Sequence, residues 1–149
     1  MRRMLMLMLV MSGVFAAVIA SARFSAEVTS ALQTSKEIYV ATRRANGSLS
    51  KVVPVWFMYD GDAIYFSTLP SSHKAKRIKK GSPLYVWVGS ADGPHFVGPA
   101  ELITDPDVAA RMAPIYAQKY WIAWIGLFKP NPERVRSGKT VIVKVSPPA

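Results

Sequence analysis

The sequence contains no cysteine, two histidines and nine acidic residues. Without cysteine the chain forms no disulfide, offers no thiolate nucleophile and has no cysteine-based metal site. The two histidines, His73 and His95, are too few for a histidine-rich metal centre, so no metal site is expected. No paired carboxylates share a short motif, and no Ser–His–Asp set can be read from the spacing. The sequence therefore leaves the catalytic residues unidentified.

Basic residues, in contrast, are abundant: 19 lysines and arginines give a formal net charge of +10 at pH 7. A basic chain favours anionic partners, and charge alone does not choose among a phosphorylated ligand, a nucleic acid and an acidic membrane surface. Half of the 149 residues are hydrophobic, which is enough for the core of one domain. No internal repeat and no second domain are visible.

Residues 1–22 have the order of a secretory signal peptide. Arg2 and Arg3 precede an apolar run from Met4 to Ala20, and Ala20-Ser21-Ala22 is a small-x-small cleavage site. We expect cleavage after Ala22 and export of residues 23–149 to the periplasm or the outside of the cell. An uncleaved membrane anchor is the alternative, because the run is close to the roughly 18 residues that span a bilayer. A signal peptide disfavours nucleic acid as a partner.

The rest of the chain predicts a mainly β fold, because short runs of β-branched and aromatic residues alternate with turn signals. Asn46-Gly47 predicts a hairpin turn, and Pro54 favours a sheet edge or a bulge. Antiparallel strands in this number usually close into a barrel or sandwich, which removes their edges. We therefore expect a six-stranded antiparallel β-barrel, with strands at 37–43, 49–59, 63–68, 84–89, 96–104 and 140–145.

Three helices are expected beside this barrel. Residues 24–34 can form a short one, and a basic one follows the third strand, with Ser71 or Ser72 as its cap. A longer helix begins after Asp105, and Pro114 should kink it or cut it short. Farther on, 120–128 is a strongly apolar, aromatic stretch and 131–138 is expected to be a polar loop.

The end of the third strand and the basic helix after it form the segment richest in possible chemistry. Ser67 and Thr68 end the strand, a turn of small residues follows, and the helix begins at His73-Lys74. Hydroxyl groups, free helix N–H groups and lysine side chains could meet there, as they do in a phosphate cradle. A capped and solvated basic helix is the alternative.

Three segments together resemble the pyridoxamine-phosphate-oxidase-like split barrels, and in particular their flavin- or deazaflavin-dependent reductase branch. These are Ala41–Arg44 with Asn46-Gly47, Val53–Phe57 followed by Asp60-Gly61, and His73–Lys80. Their order and spacing agree with the family from about Leu32 to Val145. The resemblance implies an FMN-binding split barrel over residues 23–149 and a homodimer with the cofactor in the groove between subunits.

The resemblance also implies a cofactor, FMN or an 8-hydroxy-5-deazaflavin, with haem as the less favoured alternative. By motif position Thr68, His73 and Lys74 would hold its phosphate, although the family has arginine where this chain has His73. An arginine and a lysine of the oxidase fall on Val52 and Phe57, which disfavours pyridoxamine phosphate oxidation. The implied cofactor-binding residues are Pro54, Val55, Trp56, Ser67, Thr68, Ser72, His73, Lys74, Lys76 and Arg77.

Two functions follow from this resemblance. The first is an oxidoreductase that transfers a hydride from a flavin-type cofactor to a small organic substrate. The second is a non-catalytic, exported flavin- or haem-binding protein of the same fold. Trp87 and the stretch 120–128 are candidates to line the pocket or the dimer seam, with ordinary core packing as the alternative. The aromatic stretch also leaves a membrane-surface role open.

Overall fold

The computed structural model describes residues 22–121 and 129–149. The expected signal peptide, apart from Ala22, and most of the stretch 120–128 lie outside these residues. The described strands are β1 (Glu37–Thr42), β2 (Val53–Trp56), β3 (Met58–Tyr59), β4 (Ile64–Thr68), β5 (Leu84–Val88), β6 (His95–Gly98), β7 (Ala100–Ile103) and β8 (Val141–Val145). The described helices are α1 (Ala26–Thr34), α2 (His73–Lys79), α3 (Pro106–Lys119) and α4 (Pro132–Arg136).

The strands form two four-stranded sheets, ordered β2-β1-β5-β6 and β3-β4-β8-β7. Every pairing is antiparallel. The mainly β class with helices at its sides is therefore confirmed. As the edge signal of Pro54 indicates, β2 is an edge strand of the first sheet, where Pro54 pairs with Tyr39 of β1.

Two of the expected strands are each divided between the sheets, so the structure has eight described strands where the sequence predicted six. The first division is at Phe57, whose N–H donates to the Tyr120 hydroxyl at 3.1 Å. The second is at Pro99, which has no N–H to donate to a strand ladder. In both cases the chain leaves one sheet and enters the other, and these two passages join the sheets into a split barrel.

The main core lies between the two sheets and is almost free of water contact. Ile38, Phe57, Phe66 and Val86 expose 1% of their surface or less. A second cluster covers the outer face of the second sheet, where Met112 of α3 is fully buried. Burial of this much apolar surface is the main favourable term in folding. It also fixes the strand ends that carry the polar groups described below.

The three predicted helices are present, with two differences from the sequence expectations. Pro114 does not cut α3 short, since the helix runs through it to Lys119. We attribute this to tertiary packing, because Met112 and Tyr116 bury one side of the helix while Pro114 itself is exposed.

The segment 131–138, expected as a loop, instead contains α4. Its cap is the Asn131 side chain, which accepts hydrogen bonds from the N–H groups of Glu133 and Arg134. Pro132 occupies the first turn of this helix, where its missing N–H is not needed. The prediction overlooked a short helix whose start signal, Asn-Pro-Glu, is present in the sequence.

Within residues 22–121 and 129–149, no helix has the length and apolar character needed to cross a membrane. The described domain begins in contact with its core. Phe24 is 9% exposed, and its ring meets that of Phe96 edge-on with the centroids 4.9 Å apart.

Candidate functional site

A cavity of about 400 Å³ lies beside α2, β1 and the start of β2, and we name it the basic cavity. Four lysine and arginine side chains line it, and no acidic residue is among its described lining residues. The lining consists of Val40, Ala41, Thr42, Arg44, Ser50, Lys51, Val53, Ser72, His73, Lys74 and Arg77. Cations and hydroxyl donors on an open cavity are the groups that bind a phosphate or a carboxylate.

The hairpin between β1 and β2 brings two of these cations, Arg44 and Lys51, to the cavity. Gly47 has a φ of 87°, which glycine adopts without a steric penalty, and the Arg44 N–H donates to the Ser48 carbonyl at 2.8 Å. Beyond the turn, Thr42 and Ser50 are tied by two hydrogen bonds. The Ser50 N–H donates to the Thr42 carbonyl at 2.8 Å, and the Ser50 hydroxyl accepts from the Thr42 N–H at 3.0 Å.

Helix α2 supplies the other side of the basic cavity. Ser72 caps the helix, and its hydroxyl accepts hydrogen bonds from the Ala75 N–H and the Thr68 hydroxyl, both at 3.2 Å. Arg77 donates to the Thr42 hydroxyl at 3.4 Å, which links the helix to β1. Thr68 thus reaches the site through Ser72, whereas Ser72, Lys74 and Arg77 line the cavity directly.

The positive charge of the basic cavity is not neutralised by the described part of the protein. The ion pairs of the described residues join Arg111 to Asp60, Arg136 to Glu133 and Lys144 to Glu101. None of them includes a residue that lines the basic cavity. Burial lowers the pKa of the Lys74 ammonium below 10.5, because removal from water disfavours its charged form. An anionic ligand would offset that cost, so the residues fit the phosphate of a flavin-type cofactor.

A second basic cavity, of about 420 Å³, lies on the other side of His73 and Arg77. Arg44, His73 and Arg77 line both basic cavities. Lys76 lines only the second one, together with Arg43, Ala45, Lys80, Gly81 and Ser82. The residues predicted to hold the phosphate are therefore divided between the two basic cavities. Lys74 lines one and Lys76 the other, because side chains two positions apart on a helix point in different directions.

The cavity at the far end of β2 receives three more of the predicted residues. It measures about 330 Å³, and we name it the Ser67 cavity. Its lining is Val55, Trp56, Ser67, Tyr116, Lys129, Pro130, Asn131, Arg134 and Thr140. The Ser67 hydroxyl is buried and has no hydrogen-bond partner among the described residues. Pro54 is exposed and lines none of these three cavities.

Trp56 is held in place by two tyrosines. Its ring stacks on that of Tyr120, with the centroids 4.2 Å apart, and the Tyr116 hydroxyl donates to its carbonyl at 2.8 Å. Trp87, the other tryptophan considered above, lies in β5 against His95 with ring centroids 4.8 Å apart. It lines none of the three cavities. Of the stretch 120–128, Tyr120 is buried and Trp121 is 75% exposed, and the remainder lies outside the described residues.

Several lining residues were missed by the sequence analysis. Thr42, Arg44, Ser50 and Lys51 lie on both arms of the first hairpin, and pairing the strands around Asn46-Gly47 would have placed them together. Lys129 and Arg134 had no such signal, because α4 and the residues just before it reach the Ser67 cavity through tertiary packing. No group of three or more possible metal ligands occurs within residues 22–121 and 129–149.

Two antiparallel sheets joined by the chain passages at Phe57 and Pro99, with a basic helix beside a hydroxyl-lined cavity, define this chain as a split barrel. The family model of pyridoxamine 5′-phosphate oxidase matches residues 24–148. The chain therefore belongs to the pyridoxamine 5′-phosphate oxidase family, whose members bind FMN. A comparison with curated proteins found no match.

Solved structures support the same fold. An F420 reductase is 24% identical, with a TM-score of 0.57, and the match covers 80% of this chain and 92% of that one. General stress protein 26 from Bacillus anthracis is 18% identical, with a TM-score of 0.58 and coverage of 81% and 86%. Protein Rv2991 from Mycobacterium tuberculosis is 20% identical, with a TM-score of 0.60 and coverage of 86% and 83%. At these identities the likeness establishes the fold alone.

Proposed function

We propose that this protein binds FMN or an 8-hydroxy-5-deazaflavin and uses it to reduce a small organic substrate. The observation that carries the proposal is the uncompensated charge of the basic cavity, where Lys74 is partly buried without an acidic partner among the described residues. Family membership supports FMN, and the structural likeness to an F420 reductase favours a deazaflavin as the other candidate.

Strand β2 gives the cofactor its direction in this proposal. Val53 lines the basic cavity, and Val55 and Trp56 line the Ser67 cavity. A strand rises about 3.3 Å per residue, so the two cavities are served by positions about 7–10 Å apart along one strand. A phosphate in the basic cavity would thus direct the attached ring along β2 towards Val55, at the near end of the Ser67 cavity. Strand β4 makes the same connection. Ser67 lines the Ser67 cavity, and the next residue, Thr68, donates to Ser72 at the basic cavity.

The chain's own residues would bind and orient the cofactor. Arg44, Lys51, Lys74 and Arg77 supply charge for the phosphate, and the His73 imidazole adds a hydrogen-bond donor. Tyr116 and Tyr120 fix the backbone and ring of Trp56 beside the reacting region. When bound in its reduced form, such a cofactor would supply a hydride, which together with a proton from water reduces a two-electron acceptor and leaves the cofactor oxidised.

Pyridoxamine phosphate oxidation is not part of the proposal. Of the two positions that carry charged residues in the oxidase, Phe57 is fully buried in the core and Val52 is apolar. Lys51, one residue before Val52, does line the basic cavity, so a cation is retained for ligand binding there.

A non-catalytic carrier of the same cofactor is the second candidate. It is favoured by the chemistry of the three cavities, whose described lining residues include no carboxylate and one histidine, His73. This role would be indicated if the protein takes up the cofactor but the bound, reduced cofactor transfers no hydride to any acceptor that is added.

We also propose that the chain is exported after cleavage near Ala22 and acts as a homodimer, with an uncleaved membrane anchor as the alternative. The contact of Phe24 with the core supports a domain boundary just before it. The amino-terminal sequence of protein recovered outside the cytoplasm tests the cleavage, and light scattering tests the dimer. An intact signal segment in the recovered protein would contradict cleavage.

The decisive test is cofactor uptake by the purified protein, followed by its absorption spectrum. We expect flavin or deazaflavin binding, and we expect Lys74→Ala to weaken it by about tenfold or more, because a charge-assisted contact is lost. Lys79→Ala is the matched control, since Lys79 belongs to the same helix but lines neither basic cavity. Wild-type protein that takes up neither cofactor would refute the proposal, and a Soret band would replace it with haem binding.

A further inference from the structure

The Ser67 cavity has the composition of a recognition site for an organic acid, and the proposed phosphate site does not account for it. We propose that this cavity binds the carboxylate and the flat body of the substrate, which makes the substrate a small, planar, conjugated carboxylic acid. The inference rests on the proposed function, in which the cofactor ring reaches this cavity from the side of Val55 and leaves the side of Pro130 and Arg134 to the substrate.

One wall of the Ser67 cavity is apolar and aromatic. It is formed by Val55, Trp56, Tyr116 and Pro130. The stack with Tyr120 and the hydrogen bond from Tyr116 hold Trp56 in one orientation. A flat surface fixed in this way favours a flat ligand, since stacked and edge-on ring contacts add to the gain from burying apolar area. At about 330 Å³ the cavity lies near the lower limit of small-molecule pockets, which restricts the ligand to a small one.

The rest of the lining carries positive charge, with no carboxylate among the described residues. Lys129 and Arg134 provide the two cations. The Arg134 Nε donates to the Thr140 hydroxyl at 3.2 Å, which orients the guanidinium and leaves its terminal N–H groups for a ligand. A guanidinium presents paired donors that match the two oxygens of a carboxylate.

Ser67 gives an independent indication that a ligand belongs here. Its hydroxyl is buried and has no hydrogen-bond partner among the described residues, a state that costs free energy in a folded protein. Ser67 lines the cavity, and rotation about one side-chain bond can turn the hydroxyl to another staggered position. An acid bound between Arg134 and the aromatic wall would supply the missing acceptor.

The test compares cinnamate with its neutral amide, cinnamamide, by titration calorimetry on the full protein loaded with its cofactor. We expect cinnamate to bind at least about tenfold more tightly, because the amide lacks the charge that Arg134 recognises. Arg134→Met should lose about tenfold or more of this affinity. Arg136→Met is the matched control, since Arg136 lies on the same helix but pairs with Glu133 and does not line the cavity.

A second variant separates ligand binding from folding. Ser67→Ala should weaken cinnamate binding several-fold while leaving the free energy of unfolding unchanged or higher, because the hydroxyl it removes has no described partner. Equal affinity for cinnamate and cinnamamide, or full affinity in Arg134→Met, would overturn the inference.

The failure of this inference can be told apart from failure of the proposed function. If wild-type protein takes up flavin or deazaflavin but does not prefer cinnamate to cinnamamide, the acid site is refuted and the cofactor site stands. If the protein takes up neither cofactor but prefers cinnamate to cinnamamide, and Arg134→Met removes that preference, the acid site stands and the proposed oxidoreductase function is refuted.

Discussion

The rings of Trp56 and Tyr120 lie parallel to within 4°, with their centroids 4.2 Å apart. Tyr120 is also bonded at its far end, where its hydroxyl donates to the Lys36 carbonyl at 2.6 Å and accepts from the Phe57 N–H at 3.1 Å. One buried side chain thereby connects the start of β1, the junction of β2 and β3, and the tryptophan that lines the Ser67 cavity. The position of Trp56 depends on this connection.

Removal of the Tyr120 hydroxyl should destabilise the protein. Tyr120→Phe leaves the Lys36 carbonyl and the Phe57 N–H without this partner, and loss of such a buried hydrogen bond costs about 1–3 kcal/mol. The free energy of unfolding in urea measures the effect. Tyr39→Phe is the control, because among the described residues the Tyr39 hydroxyl donates to Glu37 alone, at 3.4 Å. Equal stabilities of the two variants would show that the Tyr120 hydroxyl has no such role.

Lys119 should make stability depend on pH. Burial lowers the pKa of its ammonium from 10.5 to about 8, although it donates to the Phe57 carbonyl at 3.1 Å. Since its pKa is lower in the folded state, folding releases a proton between these values, and the contribution of Lys119 to stability increases as pH rises from about 8 towards 10.5.

The Lys119→Met variant isolates this effect. Unfolding free energies at about pH 7 and about pH 9.5 should show wild type gaining relative to the variant at the higher pH. Burial raises the pKa of the nearby Tyr116 and Tyr120 hydroxyls, so measurements above about pH 10 would mix their loss of stability with the gain from Lys119. A wild-type-to-variant difference that is constant with pH would contradict the lowered pKa.

Substitution of His73 by arginine should strengthen cofactor binding. His73 lines both basic cavities, and arginine would place a permanent charge and paired donors there. We expect the dissociation constant of FMN or deazaflavin to fall several-fold in His73→Arg. His73→Gln, which is neutral, should show no gain. If both variants bind alike, position 73 does not contact the anionic group.

Gly98 is required by close packing at the end of β6. A Cβ atom there would lie 2.2 Å from the carbonyl oxygen of Ser146, a backbone atom that cannot rotate away. Gly98→Ala should therefore cost about 1–3 kcal/mol or more, as overpacking does in well-filled cores. Gly47→Asn provides the comparison, because a Cβ there meets nothing within 4 Å and asparagine tolerates the positive φ of that turn. Thermal unfolding of both variants distinguishes the two cases.

The strands and helices could largely be predicted because each has local signals. Asn46-Gly47 indicated the first hairpin, Ser71 or Ser72 the start of α2, where the cap is Ser72, and Asp105-Pro106 the start of α3. The two sheet-to-sheet passages could not be predicted in this way. At Phe57 the strand breaks because a tyrosine 63 positions later takes its N–H, and no local pattern reports that contact.

The candidate site shows the same limit. Ser72, Lys74 and Arg77 lie together as expected, because they are neighbours on one short helix and its cap. Lys76 instead lines the second basic cavity, which its position two residues after Lys74 on the helix could have shown. The Ser67 cavity joins residues from β2, β4, α3 and α4, and such an arrangement follows from tertiary packing rather than from sequence spacing.

The wall that the two basic cavities share has a practical consequence for handling this protein. Arg44, His73 and Arg77 face both cavities, so a small anion on either side competes for the same positive charge. Phosphate or sulfate carried over from purification would weaken uptake of a phosphorylated ligand even when it occupies the neighbouring cavity. Exchange into a buffer of low ionic strength without oxyanions therefore belongs before any titration.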